Sequence, residues 1–446
     1  MLRHSLYATF RFLSSADFRI RRRFTKAGLL LLGSLAAAAV IGLDTNQTMA
    51  YQAFALLLAL LAISVASSVV FRPRLAVRRI LPRYGTAGVP LAYRVVVDNR
   101  GDRRLTGLVL IENLVDPRPS YEAFSDTPDE IEDADNWFDR VVGYPRWQSL
   151  IARSRGATMD EQALPPLPPG GEIEVRVELT PLRRGPLRFV GATVARPDPF
   201  GLFRALHTIP LSQSVLVLPR RYPVPDLRLP GSRKYQQGGV ALAASVGDSE
   251  EFVSLRDYRP ADPLRRIHWK SWARVGKPVV REYQDEFFVR HALVLDTFTK
   301  IEGTEVFEAA VSVAASVACS IRSEDALLDL MFVGPEAYCF TVGRGVAHTE
   351  RMLEVLAAVR SCRDRPFAAL HRLVIERYAV LSGAVCVLLG WDEARQRFVD
   401  HLDALGVPKL VLVVTPPGSA SAGVPPDGPG FRRLEVGRMA EGLSTL

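Results

Sequence analysis

Asp296 and Asp392 stand just beyond two unbroken apolar runs of strand length, His291–Leu295 and Ala384–Leu389. In an open sheet covered by helices, ligands bind beyond the carboxyl ends of the strands, so these carboxylates are the first candidates for site chemistry. A second concentration of reactive side chains fills residues 247–286, GDSEEFVSLRDYRPADPLRRIHWKSWARVGKPVVREYQDE. There Asp262 followed by Pro263 reads as a helix N-cap with proline in the first turn, which predicts a short helix over Leu264–Ala273 with Arg274 at its end. Arg265, Arg266, His268, Trp269, Lys270 and Trp272 would ride on it, with Leu264 and Ile267 on one face. Cations interleaved with aromatic rings can grip phosphates and stack on bases, or present a face to a protein. Equally, the arginines can pair with Glu250, Glu251, Asp257 and Glu282 while the tryptophans enter the core. Arg256, Tyr258, Asp262, Arg266, His268, Trp269, Lys270 and Arg274 are the candidate partner-binding residues.

Enzyme motifs are missing from the sequence. Gly276 and Lys277 are followed by Pro278, where a phosphate loop needs Ser or Thr. There is no H-E-x-x-H and no nucleophile elbow, and the histidines stand at no metal-binding spacing. Cys319, Cys339, Cys362 and Cys386 form no C-x-x-C pair and lie in apolar stretches, which predicts reduced core thiols. The expectation is a protein without catalysis and without a cofactor.

These residues need two different scaffolds. Residues 290–446 alternate apolar strands with helical spacing, at Val306–Ile321, Thr349–Val359 and Glu393–Leu405, and predict a mostly parallel sheet with helices on both faces. Residues 221–289 join it to an earlier domain. Residues 73–220 carry alternating runs, Leu91–Asp98, Leu105–Ile111, Ile173–Leu179, Leu187–Ala195 and Ser214–Leu218, and predict an antiparallel β-sandwich. An insertion over 117–171 interrupts it. Glu122–Asp139 holds eight acidic residues and no basic one, and Leu164–Gly171 is proline-rich. A solvated loop is the plain reading; Trp137, Phe138, Tyr144 and Trp147 beside the acidic run suggest instead a dock for a basic partner.

Residues 1–72 place all of this at a membrane. Ala27–Leu43 and Ala50–Phe71 are uncharged and apolar, and only Asp44–Met49 separates them. Each can form a helix that crosses, or nearly crosses, a hydrocarbon core of about 30 Å. Arg19, Arg21, Arg22, Arg23 and Lys26 precede the pair, and Arg72, Arg74, Arg78, Arg79 and Arg83 follow it. By the positive-inside bias both ends of this hairpin face the cytosol, as in a two-pass protein of a bacterial inner membrane. The net charge of +8 owes much to these flanks, which suit anionic head groups better than nucleic acid.

The run Phe252, Leu255, Arg256, Tyr258, Pro260, Asp262, Arg266, Ile267, Trp269, Lys270, Ala273, Arg274 resembles the signature of the domain of unknown function 58 family, whose members are often encoded beside MoxR-type AAA+ ATPases. Arg184–Gly185–Pro186 and Asp198–Pro199–Phe200–Gly201–Leu202 resemble the segment that ends that family's β-domain. Ala261 and Trp272 depart from it, standing where the family usually has glycine and a small residue. The resemblance implies a von Willebrand factor A-like fold for the C-terminal half, a scaffold that binds partner proteins and often a divalent metal. Its metal pattern is Asp-x-Ser-x-Ser, whereas here Asp296 is followed by Thr297, Phe298, Thr299 and Lys300. Asp296, Thr299 and Asp392 are the remaining candidate ligands for magnesium, with a helix-capping or ion-paired aspartate as the plain alternative. The reading is a membrane-anchored adaptor for a MoxR-type ATPase or other membrane proteins. Its alternatives are a metal-dependent protein-binding module at Asp296 and a nucleic-acid binder using residues 264–274.

One prediction follows from the arginine clusters. A reporter active only in the cytosol should be active when fused after Leu446, and a periplasmic reporter there should be silent; the reverse pattern would overturn the topology.

Overall fold

The computed structural model describes residues 2–41, 48–126, 143–225 and 252–446, apart from short stretches at 261, 263, 265–266, 284–288, 300–302, 322–325, 343–345, 419–424, 426 and 429. Glu250, Glu251, Arg265, Arg266, Lys300 and the dock residues Trp137 and Phe138 fall outside the described residues. Two compact units divide the chain, one built on residues 1–221 with 301–304 and 353–360, the other on 222–300, 305–352 and 361–446.

The first unit opens with three helices, α1 (Leu2–Arg23), α2 (Lys26–Ile41) and α3 (Thr48–Val69). Met49–Val69 is long and apolar enough to cross a membrane. At 16 residues, α2 rises only about 24 Å, short of the roughly 30 Å core that a full span needs. It packs against α3. Next come β1 (Leu75–Ile80), β2 (Tyr84–Thr86), β3 (Leu91–Asn99), β4 (Val109–Leu114), α4 (Tyr121–Asp126), α5 (Tyr144–Ser154), β5 (Ala157–Met159), β6 (Gln162–Ala163), β7 (Glu172–Pro181), β8 (Gly185–Pro197) and β9 (Arg204–Leu218). They form two sheets, ordered β1-β3-β7-β5 and β2-β9-β8-β4-β6. All pairings are antiparallel except β2 with β9. Alternate residues of both sheets, among them Tyr93, Val95, Val97, Val177, Leu110, Phe189, Val194 and Val217, share one core.

Three local expectations need correction. The strand expected over Leu105–Ile111 begins only at Val109, because Gly107 has φ +67°, a left-handed conformation that interrupts a strand. The insertion is not only loop: it contributes α4 and α5. One residue of its dock, Trp147, is also taken up within the chain. Trp147 is buried against Tyr7 and Phe10 of the basic helix α1, together with Phe124, with ring centroids 5.7–6.0 Å apart.

Charge is buried in this core. Arg79 and Glu112 form an ion pair with both side chains almost wholly enclosed. Arg79 Nε donates to Glu112 Oε1 at 3.0 Å, Tyr93 Oη donates to the same oxygen at 3.0 Å, and Arg79 also donates to Gln213 Oε1 at 3.1 Å. Its guanidinium lies 4.3 Å from the Phe189 ring centroid. Burial, then the Glu112 charge, pushes the Tyr93 hydroxyl far above its usual pKa, so it remains a donor.

The β8–β9 turn explains the Asp-Pro-Phe-Gly-Leu motif. Asp198 accepts the backbone N–H groups of Phe200, Leu202 and Phe203 at 3.2, 2.7 and 2.8 Å. The turn so shaped offers the Leu202 carbonyl to the Thr25 N–H at 3.1 Å. A Cβ on Gly28 would lie 2.0 Å from that carbonyl oxygen, so only glycine permits the approach.

The second unit begins with β10 (Phe252–Asp257), α6 (Trp269–Val275) and β11 (Val279–Tyr283). It continues with β12 (Val289–Leu295), α7 (Glu305–Ser320), β13 (Ala326–Val333), β14 (Ala337–Val342), α8 (Val346–Ala358, of which residues 353–358 count with the first unit), α9 (Ala368–Ile375), β15 (Gly383–Leu389), α10 (Glu393–Ala404), β16 (Lys409–Thr415), β17 (Phe431–Glu435) and α11 (Met439–Ser444). The main sheet has the order β14-β13-β12-β15-β16-β17, parallel except for the β13–β14 hairpin. On one face Val294, Met331, Cys386 and Val413 pack with α9 and α10 through Leu370, Val374, Phe398 and Leu402. The helix α7 contacts β12, β15 and β16, and its Phe307, Ala310 and Val311 are buried. Continuous apolar strands follow from burial on both faces. Cys362 and Cys386 are buried as expected, whereas Cys319 is exposed near the end of α7.

Removing Glu112 strands the Arg79 charge in the sandwich. Glu112→Ala should cost about 3–5 kcal/mol, read as a lower thermal midpoint of the detergent-solubilised protein, and Glu112→Gln, which keeps an acceptor for Tyr93, should cost less.

Candidate functional site

The strand order places a topological switch between β12 and β15. To one side the chain runs outward through β13 and β14, to the other through β16 and β17. In sheets of this kind ligands bind beyond the carboxyl ends of the two strands at the switch, and Asp296 and Asp392 lie there. Asp296 is completely buried. Its Oδ1 accepts the Phe298 N–H at 2.9 Å, and its Oδ2 accepts the Leu389 N–H at 3.0 Å and Arg395 Nε at 2.7 Å. Asp392 caps α10, accepting the Arg395 N–H at 2.9 Å, and its other oxygen pairs with the Arg395 guanidinium. One arginine thus bridges both candidate carboxylates.

Burial pushes the Asp296 carboxyl up, against Arg395 and the two amides, which favour the ionised form. Burial works against the Arg395 charge too, but Asp296 and Asp392 outweigh it and raise its pKa. The guanidinium therefore stays charged. It also lies over the Phe367 ring, 5.1 Å from the centroid. The neighbouring hydroxyl of Thr297 donates to the Val333 carbonyl, and Phe298 packs edge-on against Phe367 at 5.6 Å. A divalent cation needs several free oxygen donors. The donor set around Asp296 does not fit one, because a fixed cation already holds both carboxylates. Sequence reading missed Arg395, although its place three residues after an N-cap aspartate was the available signal.

The segment that resembles the family signature differs from the short helix expected over Leu264–Ala273. It forms an antiparallel ribbon, with Arg256 opposite Val280 and Asp257 opposite Val279. Its helix starts at Trp269, not Leu264, and ends where Gly276 takes φ +74°. Among the described residues Asp262 caps no helix amide. It accepts Arg256 through both oxygens, at 2.7 and 2.8 Å, and the Arg259 N–H at 2.9 Å. The Arg256 hydrogen bonds, followed by the Arg259 amide, hold its pKa at about 2. The Tyr258 N–H donates to the Pro278 carbonyl at 2.9 Å, and the His268 N–H to the Val279 carbonyl at 2.8 Å. Ile267 is buried and bridges to Val280; His268 Nδ1 lies 2.6 Å from Ser271 Oγ. Of the two readings of the tryptophans, core or partner-binding face, Trp269 does not fit the core: it is 63% exposed. It stacks on the half-buried Trp272, with centroids 5.2 Å apart and planes 20° apart. Leu264 and Val275 are also exposed, as are Lys270 and Arg274.

Residues 254–381, which hold most of this ribbon and the Asp296 strand, match the family described as Protein of unknown function DUF58. The chain is also similar to the Uncharacterized protein YeaD of Bacillus subtilis (strain 168), with 25% identity over 217 residues, 48% of this chain and 52% of that protein. This chain thus spans about half the length of that relative. Among solved structures, similarity extends to the CARDB domain of the PF1109 protein from Pyrococcus furiosus, with 15% identity, 33% of this chain, 89% of that chain and TM-score 0.18. The ASH / PapD-like domain of human CEP192 is matched at 14% identity over 33% of this chain and 86% of that chain, also at TM-score 0.18. Likenesses at that score carry no argument here.

Truncating Arg395 would leave Asp296 buried without its counter-charge. Arg395→Ala should destabilise the protein by about 3–5 kcal/mol, read in a denaturant titration, while a chelator should leave the wild-type midpoint unchanged. A midpoint that climbs on adding micromolar manganese would contradict this.

Proposed function

We propose that this chain is a non-enzymatic adaptor, held in a bacterial inner membrane by its N-terminal hairpin with both soluble parts in the cytoplasm. In this reading its von Willebrand factor A-like half presents the Trp269–Trp272 face to a MoxR-type AAA+ ATPase, in an envelope-related or protein-assembly process. The observation that carries it is the exposure of Trp269. A large ring left in water and stacked on a second indole, in a segment that also exposes Leu264 and Val275, is the kind of anchor that protein interfaces use. Arg256 and Asp262 brace the loop that leads to it. The apolar helix Met49–Val69 and the arginine clusters support the membrane placement. The family resemblance supplies the identity of the ATPase.

Contact through the Asp296 end of the sheet, in this proposal, needs no metal, since Arg395 supplies the positive charge there. The nucleic-acid reading would rest on Lys270 and Arg274 beside the stacked rings, and predicts binding that falls steeply with salt.

The test replaces Trp269 in the full-length protein. An exposed substitution costs within about 0.5 kcal/mol, so Trp269→Ala should keep the thermal midpoint while co-purification of the purified MoxR-type ATPase from detergent-solubilised membranes is lost. A lower midpoint with the ATPase retained would make Trp269 a structural residue and refute the interface.

A further inference from the structure

We infer that the first unit holds a binding site for the phosphate of an anionic phospholipid, in a cleft of ≈790 Å³ where α3 meets the β-sheets. One wall is the last turn of α3 and its exit, with Ser67, Ser68, Val70 and Phe71. The others are the loop after β3 and the turn after β8. Arg72, Arg74, Arg103 and Arg196 line it, against the carboxylates of Asp102 and Asp198. Asp198 is turned to its own loop, accepting three backbone amides there, and four guanidinium groups outnumber the two carboxylates. The cleft is therefore cationic.

Three features point to a ligand. The arginine side chains are exposed, and among the described residues none is engaged in an ion pair; Arg196 lies over the Phe71 ring at 5.8 Å. Guanidinium groups match phosphate oxygens in fixed, forked geometry. The walls are also built in advance. Asn99 Nδ2 donates to the carbonyls of Arg103 and Pro168 at 2.9 and 3.0 Å, Asn99 Oδ1 accepts the Gly101 N–H at 3.1 Å, and the Arg100 N–H donates to the Arg74 carbonyl at 2.8 Å. The loop bearing Arg103 is thus tied to the strand entry bearing Arg74. Finally, the volume suits a polar head group, and exposed Val69 and Val70 stand at its rim for the acyl chain. Phosphate at this position belongs to a membrane lipid because the cleft lies at the end of the helix long enough to cross a bilayer. This rests on the membrane placement, and not on the ATPase.

The full-length protein, reconstituted in phosphatidylcholine nanodiscs with graded phosphatidylglycerol, tests it by native mass spectrometry of retained lipid. Arg74→Gln with Arg103→Gln should weaken phosphatidylglycerol retention by roughly tenfold or more, while Arg19→Gln with Arg21→Gln should leave it unchanged. Asp102→Asn, which removes one of the two carboxylates, should strengthen it and serves if the double variant fails to fold. Millimolar inorganic phosphate should not displace the lipid. Equal retention by wild type, the double variant and Asp102→Asn would overturn the site, and displacement by inorganic phosphate would assign it to a soluble anion instead. Failure of the protein to enter nanodiscs would overturn the membrane placement itself.

Discussion

A single guanidinium closes the carboxyl end of the second unit's sheet. Arg395 reaches from the first turn of α10 to the carboxylate at the end of β12, which itself receives the backbone of β15 through Leu389. Two strands and a helix start are thereby joined at the switch point, the place where strand order alone leaves a gap. An ion pair enclosed this deeply contributes little net stability over an apolar packing of the same shape, but it is costly to break. What it gives is a fixed arrangement. The helix register, the strand ends and the Phe298–Phe367 contact are all set by where that group can reach.

The first unit uses the same device on another scale. Arg79 and Glu112 lie between two sheets whose inward positions are otherwise apolar, and each of their hydrogen-bonding groups has a partner. Outside that core, α1 is held by aromatic packing on Trp147 and Phe124, and Arg22 donates to Thr193 Oγ1 at 2.5 Å. The basic N-terminal helix is therefore part of the β-unit's surface, packed on the described aromatic residues of the insertion, Phe124 and Trp147.

Much of this was legible in the sequence where period and burial agree. The alternation in Leu91–Asp98 and Ile173–Leu179, and the unbroken apolar runs of β12, β15 and β16, located their strands to within a few residues. Legibility failed where a polar side chain is buried or a short segment is shaped by distant contacts. Arg78 and Arg79 disguised β1, because an arginine inside a sandwich is visible only once Glu112 is known to face it. His207 and Pro210 hid the first half of β9. At Asp262 the local N-cap pattern was sound, but Arg256, six residues earlier on β10, holds the carboxylate, and the helix begins at Trp269. The same pattern at Asp392 did become a cap. The candidate pair Asp296 and Asp392 was found from strand ends alone, while Arg395, which joins them, carried no period to betray it.

The absence of a side chain at Gly28 has a geometric consequence. With the Leu202 carbonyl seated where a methyl group would be, and Thr25 hydrogen-bonded to the same turn, α2 has one permitted rotational phase. It cannot spin about its own axis without driving a neighbouring side chain into that carbonyl. The azimuth of each residue on α2 is therefore indexed to the β8–β9 ribbon, which over the 15 residues of β9 is a lever of about 50 Å. Which flank of the helix looks toward α3 is decided outside the apolar segment, by a turn of the β-unit.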